Sequence, residues 1–582
     1  MCGIAGIFGI DKRPDTARLE VLADSIAHRG PDGAGFWIHP DHPIGLAHRR
    51  LSIIDLSRDA SQPMHWNGRF TIVYNGEIYN YIELKNELQA DGVQFSTSSD
   101  TEVLLALYER FGANALHKLD GMFAFAIWDD LKKELFLARD RFGEKPLFYS
   151  FIGNDFFFAS EMKSLFASGA SSDFSEDRVY QYLQNNVFID PADPGNTFYT
   201  AIRQLDAASY MRVHAGKIVE TKLYWSLYDV PIRYDLTIDD AAAELRRLLS
   251  ESIKRRLRSD VPLGLCLSGG IDSSSIAMLL YQMDGINRPE YAFSARFSKF
   301  KKDEGQYIAK VLDKCHDLRP HFTWPDADGL RNDIDRLADA QEEPFYSGSI
   351  YNQFCVMRLA REQGITVLME GQGSDEQLAG YNHYYQHHLT WLFLNNFRQY
   401  LSERKAYRGI LGELYPYRLP RRLPFWYISK ILKLRKFVYD EPVRNLLLED
   451  STRTGLKSLL RYGDRNSMAF GRELRLPFLC HQFSEFVFSL PIEYILHQGW
   501  TKYILRKSMN GILPQEIVWR KDKVGFEPPQ DIWLKSLQDI TLPYKNSVDY
   551  REFTAGKKVD VIGDWKWLMI KLFFDKGRKA SI

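Results

Sequence analysis

The chain is poor in cysteine, with five thiols in 582 residues, at positions 2, 266, 315, 355 and 480. They are odd in number and widely spaced, with neither a CxxC pair nor clustered histidine. That excludes a disulfide framework and a structural zinc, and points to a reducing compartment, the cytoplasm. Net charge is also lacking: Lys plus Arg and Asp plus Glu each total 75, so no global field speaks for nucleic acid as a partner. No apolar run is long enough to cross a bilayer, and the opening turns polar at Asp11-Lys12-Arg13, too early for a secretory leader. A Gly-Lys-Ser/Thr phosphate loop is missing as well. What remains is ordinary globular composition, 45% hydrophobic, 26% charged and 14% aromatic, over a length that calls for two or more domains.

The richest stretch runs from Leu263 to Ala277. An apolar run, then Ser268-Gly269-Gly270-Ile271-Asp272-Ser273-Ser274-Ser275 and a second apolar segment, reads as a buried strand turning tightly into a helix N-terminus. Glycines admit an oxygen-rich ligand close to the backbone, and the free N–H groups of the first helical turn favour an anion. Ser268, Ser273 and Ser274 add hydroxyls, and Asp272 suits a Mg²⁺ that neutralises phosphates. The alternative is a Ser/Gly turn that only caps a core helix. Upstream, Ile238 to Arg258 has helical periodicity, with Ala242, Leu245, Leu248, Leu249 and Ile253 on one face. Downstream, helices alternate with short apolar runs such as Tyr291–Ala295 and Ile365–Met369, which predicts a mainly parallel sheet with ligands at its strand C-terminal ends. The second run leads into Glu370-Gly371-Gln372-Gly373-Ser374-Asp375-Glu376, either a second ligand loop or a turn with a helix cap.

At the start, Met1-Cys2-Gly3-Ile4-Ala5-Gly6-Ile7-Phe8 reads as a buried strand. If Met1 is removed, Cys2 carries a thiol and a free amine together, a nucleophile with its own base; a structural cysteine is the alternative. Tyr74-Asn75-Gly76-Glu77, after the strand Thr71-Ile72-Val73, contains an Asn-Gly turn signal that by itself predicts a hairpin. Phe156–Glu161, Gly195–Tyr199 and Tyr210–Val213 read as further strands. A polar connector from Ser226 to Thr237 follows.

These stretches, with His28-Arg29-Gly30-Pro31-Asp32-Gly33, His48-Arg49-Arg50-Leu51, Ser99-Asp100-Thr101-Glu102, Asp120–Trp128 and Arg139–Gly143, resemble in matching order the class II glutaminase domain of the asparagine synthetases. The loop at Ser268 is similar to the SGG-[IL]-DS loop of the ATP pyrophosphatases, which cleave ATP between its α and β phosphates and adenylate a carboxylate. The resemblance continues through Gln341–Phe345, Asp464–Met468, Arg475–Leu479 and Gly499–Lys502. It implies an αββα N-terminal-nucleophile domain over 1–228 and an α/β ATP-pyrophosphatase domain over 229–582, with a basic helical insertion at about 383–455.

It also implies roles. Cys2 would attack glutamine, with Asn75 and Gly76 as the oxyanion hole; Arg50, Ile54, Asn75, Glu77 and Asp100 would bind glutamine, Arg50 at its carboxylate and Glu77 and Asp100 at its ammonium. Leu267, Ser268, Gly269, Gly270, Asp272, Ser273, Ala295, Gly371 and Gln372 would bind ATP, Asp272 and Asp375 would hold Mg²⁺, and Lys523, with Lys521 as the competing register, would meet the leaving phosphates. The implied partners are glutamine and a small carboxylate acceptor, in a homodimer, and the implied product is asparagine.

Two positions depart from that pattern. The glutamate of the family's Gly-Glu-Gly, thought to be a base for attacking ammonia, is Gln372 here, and the acid of Pro-Phe-Leu-Asp is Cys480. A carboxamide cannot take a proton, so the acceptor need not be aspartate, and Glu370 and Glu376 become replacement base candidates. Tyr415 to Asp440, basic and interleaved with aromatics, suits an anionic membrane or a phosphorylated, lipid-linked saccharide, or is a plain helical insertion. A uronic acid carboxylate in polysaccharide assembly is therefore an alternative acceptor. A non-catalytic scaffold and a β-lactam-type cyclase are the readings of other classes, and an intact Cys2 speaks against the cyclase.

Overall fold

The computed structural model describes residues 1–10, 13–298, 300, 302–412, 416–417, 442–521, 528–547 and 563–574. The N-terminal half contains β1 (Gly3–Phe8), β2 (Gly33–Ile38), β3 (Ile44–Arg50), β4 (Met64–Trp66), β5 (Phe70–Ile78) and β6 (Gly121–Asp129). It continues with β7 (Glu134–Arg139), β8 (Phe148–Ile152), β9 (Asp155–Ala159), β10 (Arg203–Gln204), β11 (Ser209–His214) and β12 (Lys217–Leu223). They form two six-stranded sheets, ordered β10-β8-β9-β1-β3-β2 and β12-β11-β7-β6-β5-β4. All their pairings are antiparallel.

Period-2 alternation assigns each face. In β1, Ile4 and Phe8 enter the core between the sheets with Val73, Ala124, Ala126 and Trp128. Ala5 and Ile7 turn outward to helices Thr16–Asp24 and Met162–Ala167. In β6, Phe123, Phe125 and Ile127 turn outward to helices Tyr81–Ala90 and Asp100–Phe111. The layers are therefore αββα. The Asn-Gly hairpin is not formed: β5 runs through Asn75 and Gly76, which pair with Ala124 and Phe123 of β6. Sheet pairing on a fully buried strand overrides the local turn preference. Gly195–Tyr199 is likewise no strand, only isolated bridges from Asn196 to Arg203 and from Tyr199 to Phe174.

The second half holds β13 (Leu263–Cys266), β14 (Tyr291–Ala295), β15 (Arg319–Thr323), β16 (Val367–Met369) and β17 (Glu473–Arg475), all parallel, in the order β15-β14-β13-β16-β17. The chain leaves β13 toward β14 on one side while β16 lies on the other, so a topological switch point opens between the loops at 267–270 and 370–373, where such sheets bind ligands. The helix before β13, Ile238–Arg256, is capped by the Thr237 side chain and buries Ala242, Leu245, Leu248, Leu249 and Ile253. Helices Asn382–Asn395, Phe397–Ile410 and Pro442–Thr452 flank the predicted basic segment. Apart from Pro416 and Tyr417, that segment lies outside the described residues.

The two halves meet through buried charge. Arg29, fully buried, donates from Nη1 to Glu161 at 2.6 Å and from both Nη atoms to Asp464 at 2.8 and 2.9 Å. Arg465 pairs with Glu161 at 3.4 Å and with Glu342 at 2.7 Å. Glu342 in turn accepts from the N–H groups of Met162 and Lys163 at a helix N-terminus. Burial would raise Glu161 and Asp464, but the surrounding cations hold both below the usual carboxylate range. Carboxylates lowered in the folded state stabilise it above their unfolded value, about 4, and lose that contribution as pH falls through the folded values. Removing one partner of such a cluster strands the other charges. Arg29→Ala is expected to cost about 3–5 kcal/mol, read by denaturant unfolding, and the wild-type halves are expected to uncouple in calorimetry only below about pH 4.

Candidate active site

The first centre lies where β1 and β5 face each other. The Cys2 N–H donates to Asn75 Oδ1 at 2.9 Å, and its thiol lies 3.9 Å from the Leu51 carbonyl. The Arg29 Nε donates to the Cys2 carbonyl at 3.1 Å, so the same guanidinium that joins the halves also fixes the Cys2 backbone. Because Asn75 spends its oxygen on Cys2, its Nδ2 is left buried without a partner among the described residues. An orphaned donor beside a thiol is what an oxyanion site offers. Gly76 must be glycine, since a Cβ there would come 2.2 Å from the Met122 carbonyl.

Burial pushes the Cys2 thiol up, against the pull of the chain ammonium. Met1 stands ahead of it, with that ammonium 3.0 Å from Glu473 Oε2 and both groups inaccessible. His48, buried and bonded to the Tyr74 carbonyl, is driven down to about 3 by desolvation and stays a neutral imidazole.

The acids expected to receive an ammonium are both buried. Asp100 accepts from the Tyr74 hydroxyl at 2.8 Å and the Ile78 N–H at 2.9 Å, and desolvation lifts it to about 6. Desolvation and Glu473 raise Glu77 well above the carboxylate range, although Arg475 approaches to 3.6 Å. Arg50 donates to the Asp55 and Ser57 carbonyls from the rim, with Ile54 beside it half-buried.

The second centre is the switch point. Helix Ile271–Gln282 starts at Gly270, and Gly269 turns the chain at φ +77°, the left-handed region that favours glycine. The Ser268 N–H and hydroxyl both meet Ser273 Oγ, at 3.2 and 3.1 Å. Ser274 is buried inside the helix and is not a loop hydroxyl. A cavity of about 830 Å³ opens here, lined by Leu267, Ser268, Gly270, Asp272, Ser273, Ala295, Gly371, Gln372 and Asp375, while Gly269 lies behind it. Lys523 is outside the described residues, and Lys521 is exposed and off the cavity wall.

Lys502, assigned no role by motif reading, is central. Its buried ammonium lies 2.7 Å from Asp272 and 2.6 Å from Asp375, and the Ser374 hydroxyl donates to the same Asp272 oxygen at 2.7 Å. Two carboxylates that converge on one cation beside a phosphate-type turn form the all-oxygen donor set that Mg²⁺ takes, so these residues fit that ion. His39, His42 and Asp130 also bring ligand atoms within 4.8 Å of one another. There, however, His39 Nδ1 accepts from the Asp41 and His42 N–H groups, so its Nε2 proton goes to Asp130 and the cluster is already satisfied as hydrogen bonds.

The cavity wall carries six acids, Asp272, Glu304, Glu370, Asp375, Glu376 and Asp450, and no lysine or arginine among the described residues. Arg520 balances Glu304, and Lys502 balances the two aspartates. Glu376 accepts from the Tyr381 hydroxyl and Glu370 from Gln353, and burial lifts each acid to about 7. Gln372 Oε1 is buried without a partner among the described residues, and Cys480, which points its thiol at Gln482, is not on the wall.

Family comparison agrees with this division. Residues 1–225 match the glutamine amidotransferase domain and residues 244–551 match asparagine synthase. A Bacillus subtilis relative, asparagine synthetase [glutamine-hydrolyzing] 1, is 31% identical, with 92% of this chain and 88% of that one aligned. A putative asparagine synthetase from Methanocaldococcus jannaschii is 34% identical over 66% of this chain and 76% of its own. Gibberella zeae amidase chry2 is 28% identical over 92% of this chain and 90% of its own.

Asn75→Ala is expected to lower glutamine hydrolysis about 10²–10³-fold, the usual cost of one oxyanion donor, with KM for glutamine little changed in a steady-state assay. An ammonium must be met by ionised carboxylates, so KM for glutamine should rise as pH falls through about 6. Asp100→Asn should raise KM at every pH and remove that inflection.

Proposed function

Because this chain belongs to the family of glutamine-hydrolysing asparagine synthetases, we propose that it forms an amide by joining glutamine-derived ammonia to a carboxylate activated with ATP. The observation that carries the reading is that one buried guanidinium, Arg29, grips both the Cys2 carbonyl and Asp464 of the half that bears Asp272, Lys502 and Asp375. A nitrogen-releasing centre and a phosphate-binding centre are thus parts of one rigid unit.

With Met1 removed, the Cys2 nitrogen becomes an amine able to take the thiol proton. The thiolate adds to the glutamine amide carbon, and Asn75 Nδ2 with the Gly76 N–H stabilises the oxyanion. The amide C–N bond breaks, ammonia leaves, and water later releases glutamate from the thioester. Glu77 and Asp100 orient the glutamine ammonium, and Arg50 orients its carboxylate. Across the interface, Ser268 to Ser273 cradles the triphosphate. The acceptor carboxylate attacks the α-phosphorus and pyrophosphate departs, with Lys502 behind the wall as counter-ion to Asp272 and Asp375. Asp272 and Asp375 would hold Mg²⁺, which supplies neutralisation of the phosphates when bound. Ammonia then displaces AMP inside the protein, where bulk water does not protonate it.

Aspartate is the acceptor that the relatives' names suggest. The cavity wall favours a second reading, a hydroxyl-bearing carboxylate such as a hexuronic acid. Aspartate brings a second carboxylate, for which the wall offers no lysine or arginine partner among the described residues. Sugar hydroxyls, by contrast, donate to carboxylates such as Glu376 and Asp450 and stack on Tyr346, Tyr381 and Tyr462.

Pyrophosphate release measured with aspartate, free hexuronates and nucleotide-linked hexuronates decides between them. Turnover of the uronates supports the sugar reading, exclusive turnover of aspartate ends it, and no release with any carboxylate ends the ligase reading itself. Cys2→Ala is expected to abolish glutamine-dependent synthesis and keep ammonia-dependent synthesis, and equal loss of both would remove the two-centre scheme.

A further inference from the structure

Ammonia that adds to an adenylate becomes a cationic nitrogen, and the amide forms only when that nitrogen gives up a proton. The group that takes it must be a base at the mouth where ammonia enters the cavity. Gln372, at the centre of the loop after β16, is a carboxamide and has no such basicity.

Glu370, two residues earlier, is a carboxylate on the wall of the same cavity. It is the first residue past β16, and its N–H donates to the carbonyl of Arg475 in the adjoining β17 at 3.0 Å. β17 is also the strand that reaches the glutaminase half: Glu473 meets the chain ammonium of Met1, and Arg475 lies 3.6 Å from Glu77. Glu370 therefore lies on the cavity wall beside the strand that touches the glutaminase half.

Its orientation is held by a directional relay of amides. Gln341 Nε2 donates to Asn466 Oδ1 at 2.8 Å, Asn466 Nδ2 to Gln353 Oε1 at 2.9 Å, and Gln353 Nε2 to Glu370 Oε2 at 2.9 Å. Since each oxygen is taken by the preceding nitrogen, the last member can only donate. One Glu370 oxygen is thereby fixed as an acceptor, and the other is left for a proton.

We infer that Glu370 is the catalytic base of the amidation step, resting on the amidotransferase reading above. The ammonia lone pair forms the C–N bond to the adenylate carbonyl, and Glu370 Oε1 removes one proton from the resulting ammonium. The C–O bond to AMP then breaks, its electron pair leaving on the phosphate oxygen as the amide forms, and Glu370 returns the proton to solvent before the next turnover. Burial, opposed by the Gln353 hydrogen bond, lifts this carboxyl to about 7, where a base is both ionised and effective near neutral pH. The titratable groups that share its surroundings are Cys266 from β13, Tyr462 from helix Gly455–Met468, and Glu376 along its own loop. Arg475 of β17 turns its guanidinium to Glu473.

The test uses the full-length enzyme with ammonium chloride as nitrogen source, so that Cys2 takes no part, and with aspartate and a free hexuronate as probes. In Glu370→Gln, the first-turnover burst of pyrophosphate should stay within about threefold of wild type while amide formation falls about 10²–10⁴-fold and the acid limb of its pH profile disappears. Glu370→Asp should recover part of the rate. The double change Glu370→Gln with Gln372→Glu should recover more than Glu370→Gln alone, which a merely structural defect would not allow. Amide formation by Glu370→Gln within twofold of wild type, with the acid limb intact, overturns the inference. If wild type releases no pyrophosphate, the underlying reading has failed instead. Infrared titration of the carboxyl band absent from Glu370→Gln then decides the rest: a group ionised throughout pH 5–9 overturns the inference, and one that titrates near 7 supports it.

Discussion

One buried guanidinium sets the geometry on which both centres depend. Arg29 has no solvent to fall back on, so each of its donors must find an acceptor within the protein. Those acceptors come from three places far apart in the chain: the Cys2 carbonyl, Glu161 and Asp464. A shift of either half costs charge-assisted hydrogen bonds rather than weak apolar contact, and the cost is high because nothing replaces them. The junction therefore holds the Cys2 backbone and the synthetase half to a common reference. Apolar packing of Met1, Leu51, Ile53 and Met122 against Val367 and Met468 seals the same seam against water.

Much of this was legible in the linear order of residues. The alternation in β1 and β6, the apolar face of the helix at 238–256 and the strand-to-helix turn at Gly269 are local patterns, and local patterns predict local structure. Where the prediction failed, a distant partner had won. Asn75-Gly76 forms no hairpin because β6 pairs alongside it, and Gly195–Tyr199 is too poorly paired to be a strand. The side chains that motif reading passed over, Lys502 between two aspartates and Asn466 between Gln341 and Gln353, join positions more than a hundred residues apart in sequence. Nothing in the spacing of one segment announces such a pairing. The sign that was available was indirect: a carboxamide where the related proteins carry a carboxylate implies that a base stands elsewhere.

The two centres also differ in how they treat charge. Around Cys2, Asp100 and Glu77 are buried and lifted, so they wait for a cation to ionise them fully. At the switch point Asp272 and Asp375 already have one in Lys502, while burial lifts Glu370 and Glu376. The cavity wall there carries hydrogen-bond acceptors and no lysine or arginine among the described residues.

Lys502 makes the pair Asp272 and Asp375 electrically self-contained. If the two aspartates hold Mg²⁺ as proposed, a bare divalent ion would be repelled by the ammonium already there, whereas a triphosphate would attract that ammonium and so loosen its hold on the aspartates. Nucleotide and metal would then each ease the other's entry, and by thermodynamic linkage each would tighten the other. An internal counter-ion of this kind would favour the metal–nucleotide complex over either component alone.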